Sequence, residues 1–345
     1  MSLGGFAVCT VAAPMCNRSP ARLWSVRFLV TGAAGFVGSH LCSRLVADGH
    51  DVVGFDDLSE GSPGNLVDVP EVRFVQGDLR KPDAVRKALV GCDVVFHQGA
   101  LRSVQRSVVE PERFTDVNVL GTLNVLVAAR EESATVVFSS SSSIYGDQKR
   151  YPLTEDMEPR PRSPYAATKV AGEAYCRAWF ESFGVPTVSL RYFNVYGPGQ
   201  NPGSQYAAVI PRFVTACLAG SDPVIYGDGQ QARDFTYIDD IVAANVLAAA
   251  VPQRARGQIV NIGGGRSPTS VNELLSMIAR LTGTTPRAIH MPPQEGDIRR
   301  SEADVSLARR LIGYVPGVQI EEGLRRTVEW FRNVNSAQRA KPNGT

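Results

Sequence analysis

The feature that most constrains the fold of this chain is an alternation of short apolar runs with longer amphipathic segments between Ser25 and Gly197. Runs such as SVRFLVTG, DVVGFDD and DVVFHQGA have the length and apolar content of buried strands, whereas FVGSHLCSRLVADGH carries apolar residues at helical spacing. Strands that alternate with helices predict a parallel sheet covered on both faces. Ligands of such sheets bind beyond the carboxyl ends of the strands, where the strand order reverses.

A glycine-rich turn follows the first of these strands. The stretch VTGAAGFVG places Gly32, Gly35 and Gly38 between a strand and a helix, and Asp56 ends the next strand. Glycines there permit a tight turn and a close approach of the backbone to a pyrophosphate, which the helix N-terminus also attracts. A carboxylate at Asp56 accepts hydrogen bonds from an adenosine ribose and repels a 2′-phosphate. The pattern predicts an NAD site; the alternative is a structural turn beside a solvated acid.

The regular alternation weakens after Asn194, where proline and glycine are frequent. We therefore expect a Rossmann-type doubly wound parallel sheet with a smaller C-terminal α/β domain that binds the substrate. Four helices are predicted in this later part, near Arg212–Ala219, Asp239–Ala250, Val271–Leu281 and Glu321–Arg332. The predicted organisation is an N-terminal extension (1–24), an NAD-binding domain (25–193, with 234–262 returning to it), a substrate domain (194–233 and 263–332) and a tail (333–345).

The composition of the chain argues against several classes of function. A formal net charge of +2 over 345 residues gives no electrostatic case for nucleic acid or an anionic membrane surface. No apolar run reaches the roughly 18 residues that a membrane span needs, and residues 1–24 lack the basic start of a signal peptide. The six cysteines are scattered and there are only four histidines, so we expect reduced thiols and no metal site. These properties predict a cytoplasmic protein without nucleic-acid or membrane partners.

The stretch SPYAATK places Tyr165 and Lys169 on one helical face. A free phenol has a pKa of roughly 10 and must lose about 2 to 3 units to act as a base near neutral pH. A nearby cation lowers the pKa of an acid by roughly 1 to 3 units, so the lysine alone is marginal. An oxidised nicotinamide ring would supply the second positive charge. The alternative is a half-buried ring beside a solvated lysine.

These motifs together resemble one family. The glycine turn and the YxxxK pair, about 130 residues apart, resemble the extended short-chain dehydrogenase/reductase family over about Ser25 to Trp330. Further stretches narrow the resemblance to NAD-dependent nucleotide-sugar 4-epimerases, such as those acting on UDP-glucose and UDP-N-acetylglucosamine. These stretches are GDL at Asp78, SSSSSIYG at Ser139–Gly146, RYFNVYGPGQ at Arg191–Gln200 and GDGQQARDFTYIDD at Gly227–Asp240.

The resemblance implies a reaction and its catalytic residues, Ser141, Tyr165 and Lys169. Tyr165 would take the proton of the sugar 4-hydroxyl while NAD accepts a hydride from C4, and Ser141 would bind the same oxygen. A transient 4-keto sugar would take the hydride back on its other face. Related dehydratases and decarboxylases carry an acidic residue after the catalytic hydroxyl, whereas Ser142–Ile144 supplies none. Such an enzyme remains the first alternative, and a non-catalytic NAD-sensing protein the second.

The resemblance also implies binding residues and a homodimer, formed by pairing the helices Glu112–Glu131 and Ser163–Phe183. Gln294 stands where many relatives have arginine, and Arg299 or Arg300 would then have to substitute. The small Ser301 leaves room for a 2-acetamido group, whereas Asn194 weakly disfavours UDP-glucuronate. The implied NAD ligands are Gly32, Gly35, Phe36, Val37, Gly38, Asp56, Asp78, Leu79, Gly99, Asn118, Tyr165 and Lys169. The implied UDP-sugar ligands are Ser141, Asn194, Tyr226, Arg233, Asp297 and Ser301.

Overall fold

A computed structural model describes residues 26–201, 208–250, 253–293 and 298–340, without the side chains of residues 335 and 337–340. Short strands recur throughout this described part of the chain. They are β1 (Arg27–Thr31), β2 (Asp51–Asp56), β3 (Arg73–Gln76), β4 (Val94–His97), β5 (Thr135–Ser141), β6 (Thr187–Tyr192), β7 (Val195–Tyr196), β8 (Val224–Tyr226), β9 (Ala232–Arg233), β10 (Thr236–Tyr237), β11 (Gln258–Ile262), β12 (Thr269–Ser270), β13 (Ile289–Met291) and β14 (Arg300–Ser301).

Seven of these strands form one parallel sheet in the order β3-β2-β1-β4-β5-β6-β11. The central strands are buried along nearly their whole length, which explains why their sequences are continuous apolar runs rather than alternating ones. The strand order reverses between β1 and β4, so a crevice is expected at their carboxyl ends. The predicted doubly wound Rossmann-type fold is confirmed.

Helices cover both faces of this sheet. The helices of the described residues are α1 (Phe36–Ala47), α2 (Pro82–Leu89), α3 (Val104–Val109), α4 (Pro111–Thr115), α5 (Gly121–Glu131), α6 (Pro164–Phe183), α7 (Val209–Leu218), α8 (Ile238–Ala249), α9 (Val271–Thr282), α10 (Ser306–Ile312) and α11 (Ile320–Ala340). Buried residues of α1 and α8 pack with Phe28 on one face of the sheet, and buried residues of α2, α5 and α6 pack with Leu29 on the other.

Several elements differ from the predicted ones. The segment predicted as one helix over Glu112–Glu131 is α4 and α5 joined by a π-helical segment, Asp116–Leu120. Helix α11 continues to Ala340 rather than ending at Arg332, since the next proline is Pro342. Helices α3 and α10 and the two-residue strands were not predicted, because periodicity is not measurable in such short segments.

The remaining strands form three small sheets beside the crevice. Strand β10 pairs with β7, β9 lies between β12 and β14, and β13 pairs with β8. These pairings bring segments such as Ala232–Arg233 and Arg300–Ser301 together across long sequence separations. No helix among the described residues is long and apolar enough to cross a membrane.

Candidate active site

A cavity of about 1030 Å³ opens at the carboxyl ends of β1, β2, β4 and β5 and extends to the small sheets. Fifteen of the predicted site residues line it, although they come from positions 32 to 301. They are Gly32, Gly35, Phe36, Val37, Gly38, Asp56, Asp78, Leu79, Gly99, Ser141, Tyr165, Lys169, Asn194, Arg233 and Ser301. Cofactor and substrate candidates therefore share one cavity.

The glycine turn has the geometry that a dinucleotide needs. Gly32 has a φ of 68°, and a Cβ atom there would lie 2.7 Å from the backbone nitrogen of Gly99. A Cβ atom on Gly38 would overlap the carbonyl oxygen of Gly32. No side chain caps the N-terminus of α1, so the first-turn N–H groups of Phe36 and Val37 are available to an anion at the cavity wall. This donor set fits the pyrophosphate of NAD.

Asp56 fixes the loops around the end of the cavity that contains the glycine turn. Its Oδ2 accepts a hydrogen bond from the Ala34 N–H (3.0 Å), and its Oδ1 accepts one from the Leu58 N–H (2.8 Å). Burial raises the pKa of Asp56, and these two N–H groups oppose the rise. The following loop also lines the cavity, through residues such as Asp57, Ser59 and Glu60, which were not predicted. The sequence could have indicated them, because they follow directly after a strand and ligands bind beyond the carboxyl ends of parallel strands.

Asn118 does not line the cavity but holds one of its walls. The side chain, 2% exposed, bonds the backbone N–H and carbonyl of Leu101 and also donates to the Thr168 hydroxyl. It thus joins the loop after β4 to the helix turn that carries Tyr165. Leu79 and Gly99 meet closely, since a Cβ atom on Gly99 would lie 2.9 Å from the Leu79 side chain.

Ser141 and Tyr165 both line the cavity, and the side chain of Ser141 lies near the phenol. Ser141 ends β5, and Tyr165 lies in the first turn of α6, which Ser163 caps by accepting from the Ala166 N–H. Ser141 Oγ also accepts from the N–H (3.2 Å) and hydroxyl (2.9 Å) of Ser143. Because both acceptor positions of Ser141 are then filled, its own proton is available for donation.

Lys169 is 4% exposed and donates from Nζ to the Ser139 carbonyl (2.7 Å). Burial lowers its pKa to about 8. Its Nζ lies 6.0 Å from the centroid of the Tyr165 ring. Burial raises the pKa of Tyr165, while the neighbouring Ser141 side chain and the charge of Arg102 oppose the rise. The predicted lowering of the phenol pKa is therefore not produced by the protein groups alone.

The predicted substrate residues meet at the other end of the cavity. Asn194, with a φ of 30°, donates from Nδ2 to the Asp234 carbonyl (2.8 Å) and to Ser301 Oγ (3.1 Å). Asn194, Arg233 and Ser301 all line the cavity. Strands β9 and β14 pair in parallel with Ser301 opposite Arg233, which sets a guanidinium beside a small side chain. A fork of N–H donors there suits a diphosphate.

One predicted substrate residue is not brought to this site, and another lies outside the part of the chain that the structure describes. Tyr226 does not line the cavity; the guanidinium of Arg212 lies 5.5 Å from its ring centroid. Asp297, like Gln294, lies outside the described residues. Of the two arginines considered as substitutes for the missing one, Arg300 lines the cavity, whereas Arg299 pairs with Asp228 (2.8 Å).

Arg102 is the main cavity residue that the sequence reasoning missed. It follows β4 by five residues, lines the cavity, and carries the charge that acts on Tyr165. In the sequence, only its position shortly after a strand end could have indicated that it lies near a ligand. Among the described residues, no group of three or more His, Cys, Asp or Glu side chains is placed to hold a metal ion.

Comparison with known proteins gives consistent matches. The model of the NAD-dependent epimerase/dehydratase family matches residues 28–263. UDP-glucose 4-epimerase of Mycolicibacterium smegmatis is 42% identical over 314 residues, covering 89% of this chain and 99% of that protein. UDP-N-acetyl-alpha-D-glucosaminuronate decarboxylase of Bacillus cytotoxicus is 33% identical over 332 residues, covering 90% and 99%.

A solved structure is similar over the same extent. It is the UDP-N-acetylglucosamine 4-epimerase from Methanobrevibacter ruminantium M1, in complex with UDP-N-acetylmuramic acid. Its TM-score is 0.85 at 38% sequence identity, and the match covers 90% of this chain and 99% of that chain. Sequence and structure comparisons thus point to the same group of proteins.

Proposed function

Because the chain belongs to the NAD-dependent epimerase/dehydratase family, we propose that it is a UDP-sugar 4-epimerase. Its substrate is a UDP-hexose or a UDP-N-acetylhexosamine, whose C4 configuration it inverts. One observation carries the proposal: Ser141, Tyr165 and Lys169 lie on the wall of the cavity that also contains the glycine turn. A hydroxyl pair beside a dinucleotide site is the arrangement that reversible oxidation of an alcohol needs.

The roles of the protein groups follow from their hydrogen bonds. Tyr165 takes the proton from the sugar 4-hydroxyl and returns it when the hydroxyl re-forms in the opposite configuration. Ser141 donates to the same sugar oxygen, since Ser143 fills its acceptor positions. Lys169 holds a positive charge near the phenol and is oriented by the Ser139 carbonyl. When bound, NAD supplies the hydride acceptor, held by the α1 N-terminus and Asp56.

The nucleotide end of the substrate is assigned to the small sheets. Arg233 and Arg300 provide the positive charge for the diphosphate, and Asn194 holds the loop around them through the Asp234 carbonyl. Ser301 lines the cavity, and its side chain is much shorter than that of a tyrosine. This supports acceptance of a 2-acetamido sugar alongside a 2-hydroxy sugar.

The proposal is tested by offering UDP-glucose, UDP-N-acetylglucosamine and UDP-glucuronate in parallel and separating the products by chromatography. We expect a C4 epimer of unchanged mass from the first two sugars. Failure to invert any UDP-sugar, with NAD bound, would refute the proposal.

A decarboxylase or dehydratase is the second candidate, favoured by the similarity to the Bacillus cytotoxicus decarboxylase. Elimination or handling of a carboxylate calls for an acidic group near the reacting hydroxyl. Residues Ser142 to Ile144 supply none, and the Ser143 hydroxyl is bonded to Ser141. Mass spectrometry separates the candidates, because these reactions change the mass of the sugar and epimerisation does not.

We further propose that the protein is a homodimer that pairs α4–α5 and α6 of each subunit. Leu120 and Phe183, on this side of the fold, are 48% and 45% exposed. Apolar side chains exposed along neighbouring helices are typical of an interface. Light scattering is expected to give twice the mass of the chain, and a monomer at working concentration would contradict the assignment.

A further inference from the structure

A buried ion pair lies directly behind the proposed catalytic residues. Glu173 of α6 and Arg191 of β6 are 4% and 2% exposed and form two hydrogen bonds, of 2.9 and 2.8 Å. Glu173 Oε1 also accepts from the Ser140 hydroxyl (2.5 Å). The pair thus connects to the residue that precedes Ser141, although it does not line the cavity.

Two bonds clamp α6 to the end of β5. Lys169 Nζ donates to the Ser139 carbonyl, and the Ser140 hydroxyl donates to Glu173. The two strand residues are consecutive and the two helix residues are one turn apart. The distance between the next strand residue, Ser141, and the preceding helix turn, with Tyr165, is therefore set by this clamp.

Stability alone does not account for the ion pair. Removing both charges from water costs about as much as their attraction returns, so a buried pair adds little net stability. Arg191 is nevertheless fixed further, by donating to the Tyr145 hydroxyl (2.8 Å), which in turn donates to Asn261 (2.6 Å). Such a bonded arrangement holds the Glu173 carboxylate in one position.

We propose that Glu173, held by Arg191, is a positioning residue of the reaction: it fixes Ser141 opposite Tyr165 and keeps a negative charge one helical turn from Lys169. The inference rests on the proposed function and deepens it. Glu173 touches neither substrate nor cofactor and acts through Ser140 and Lys169.

The charges around Lys169 leave Glu173 as the counterion. His97 faces it from β4 and is neutral, because burial lowers the pKa of His97 to about 3. Tyr165 and Cys176 of α6 are the other titratable neighbours, and burial raises the pKa of both, that of Cys176 to about 12. Burial lowers the pKa of Lys169, and Glu173 supplies negative charge that opposes this shift.

The proposed role of Glu173 in positioning Ser141 is tested with two variants, each of which removes one buried hydroxyl between α6 and the sheet. Ser140→Ala cuts the bond to Glu173, and Thr187→Val cuts the bond of Thr187 to the Cys176 carbonyl (2.9 Å), farther along α6. Both are expected to lower the melting temperature. Only Ser140→Ala is expected to lower kcat, by about tenfold or more. Equal effects of the two variants on kcat would overturn the proposal.

The charge part is tested with Glu173→Gln and with the double variant Glu173→Gln/Arg191→Met. The single variant leaves a buried unpaired cation, so it is expected to lose stability. The double variant removes both charges and is expected to regain most of that stability. We expect the alkaline limb of the kcat–pH profile to lie about one pH unit lower in both variants, because Lys169 has lost its counterion.

A purely structural ion pair predicts another result, namely that the double variant regains the parental pH profile along with the melting temperature. That result would overturn the proposal. If Glu173→Gln does not fold, the double variant and the Ser140→Ala comparison still decide the question. A parent protein that inverts no UDP-sugar refutes the proposed function instead, whereas an active parent with unaffected variants refutes only this inference.

Discussion

The two ends of the cavity differ in the length of the strands and helices that carry their residues. At the proposed catalytic end, Ser141, Tyr165 and Lys169 lie on β5 and α6, which the buried clamp holds together. At the proposed substrate end, Arg233 and Ser301 lie on two-residue strands that pair across a sequence separation of 68 positions. The catalytic end therefore depends on the core of the main sheet, whereas the substrate end depends on a few individual contacts.

This difference predicts that substitutions at the two ends will change different kinetic properties. A change at the catalytic end should alter the chemical step with the bound cofactor retained, and a change at the substrate end should alter substrate affinity. The glycine turn lies between the two cases, because it belongs to the main sheet but contacts a ligand. The following variants test this division.

The largest effect is expected for Tyr165→Phe. Loss of the phenol oxygen removes the proposed proton acceptor, so kcat should fall by about 10²- to 10⁴-fold while NAD stays bound. Tyr226→Phe is the matched control, since that ring is away from the cavity wall. Steady-state kinetics and the NAD content of the purified proteins measure both. A similar loss of kcat in the two variants would contradict the prediction that only the end with Tyr165 carries out the chemical step.

Gly38→Ala should have the next largest effect. The added methyl group would overlap the carbonyl oxygen of Gly32, so the turn must shift, with loss of bound NAD and of about 1 to 3 kcal/mol in the free energy of unfolding. Gly49→Ala is the control, because its Cβ atom meets open space at a φ of 81°. That variant should lose about 1 kcal/mol and keep its NAD. Urea unfolding and NAD content distinguish the two.

Arg233→Gln should act on substrate affinity. Removing a guanidinium from the wall beside Ser301 is expected to raise KM for the UDP-sugar about 10- to 100-fold with little change in NAD content. Arg299→Gln is the control, because Arg299 does not line the cavity. A fall in kcat with KM unchanged for Arg233→Gln would assign that arginine to the catalytic end.

The smallest effect is expected on the pH dependence of stability, through Asp234. Its carboxylate is 3% exposed and accepts from the N–H groups of Gly264 (2.8 Å) and Ala303 (3.1 Å), and burial raises its pKa to about 6. The folded state therefore binds this proton more tightly than the unfolded chain, in which the pKa is about 3.9. Stability from this group is present at low pH and is lost as the pH rises through about 6.

The comparison of the parent with Asp234→Asn isolates this group. The difference in free energy of unfolding, parent minus variant, should fall by about 1 to 2 kcal/mol between pH 4 and pH 7. Urea titrations at several pH values measure it. A difference that does not change with pH would show that burial does not perturb this carboxyl group.

The proposed catalytic end could be predicted from the sequence because its residues are recognised by short spacings along the chain. The glycine spacing, the strand ends and the four-residue separation of Tyr165 and Lys169 each fix a relation within one element or one turn. The fold class followed from the same patterns. The pKa of Tyr165 could not be predicted from the sequence. It depends on burial and on the charge of Arg102, which lies in the loop after β4.

The substrate end could not be derived in the same way. Tyr226 lies on a three-residue strand whose partner is Ile289–Met291, and nothing in the local sequence encodes that pairing or the contact with Arg212. The Glu173–Arg191 pair was missed for a related reason: a glutamate on a helix and an arginine on a strand are ordinary until the fold buries both.

The place of β11 limits how this protein can be divided. The chain leaves the main sheet after β6, builds much of the substrate end, and returns as β11 to pair with β6 over five residues. A fragment that stopped at Tyr192 would leave the strand TVSLRY, buried in the intact protein, as an unpaired sheet edge open to pairing with other chains. Truncation at that point should therefore yield an aggregating product rather than an autonomous dinucleotide-binding module.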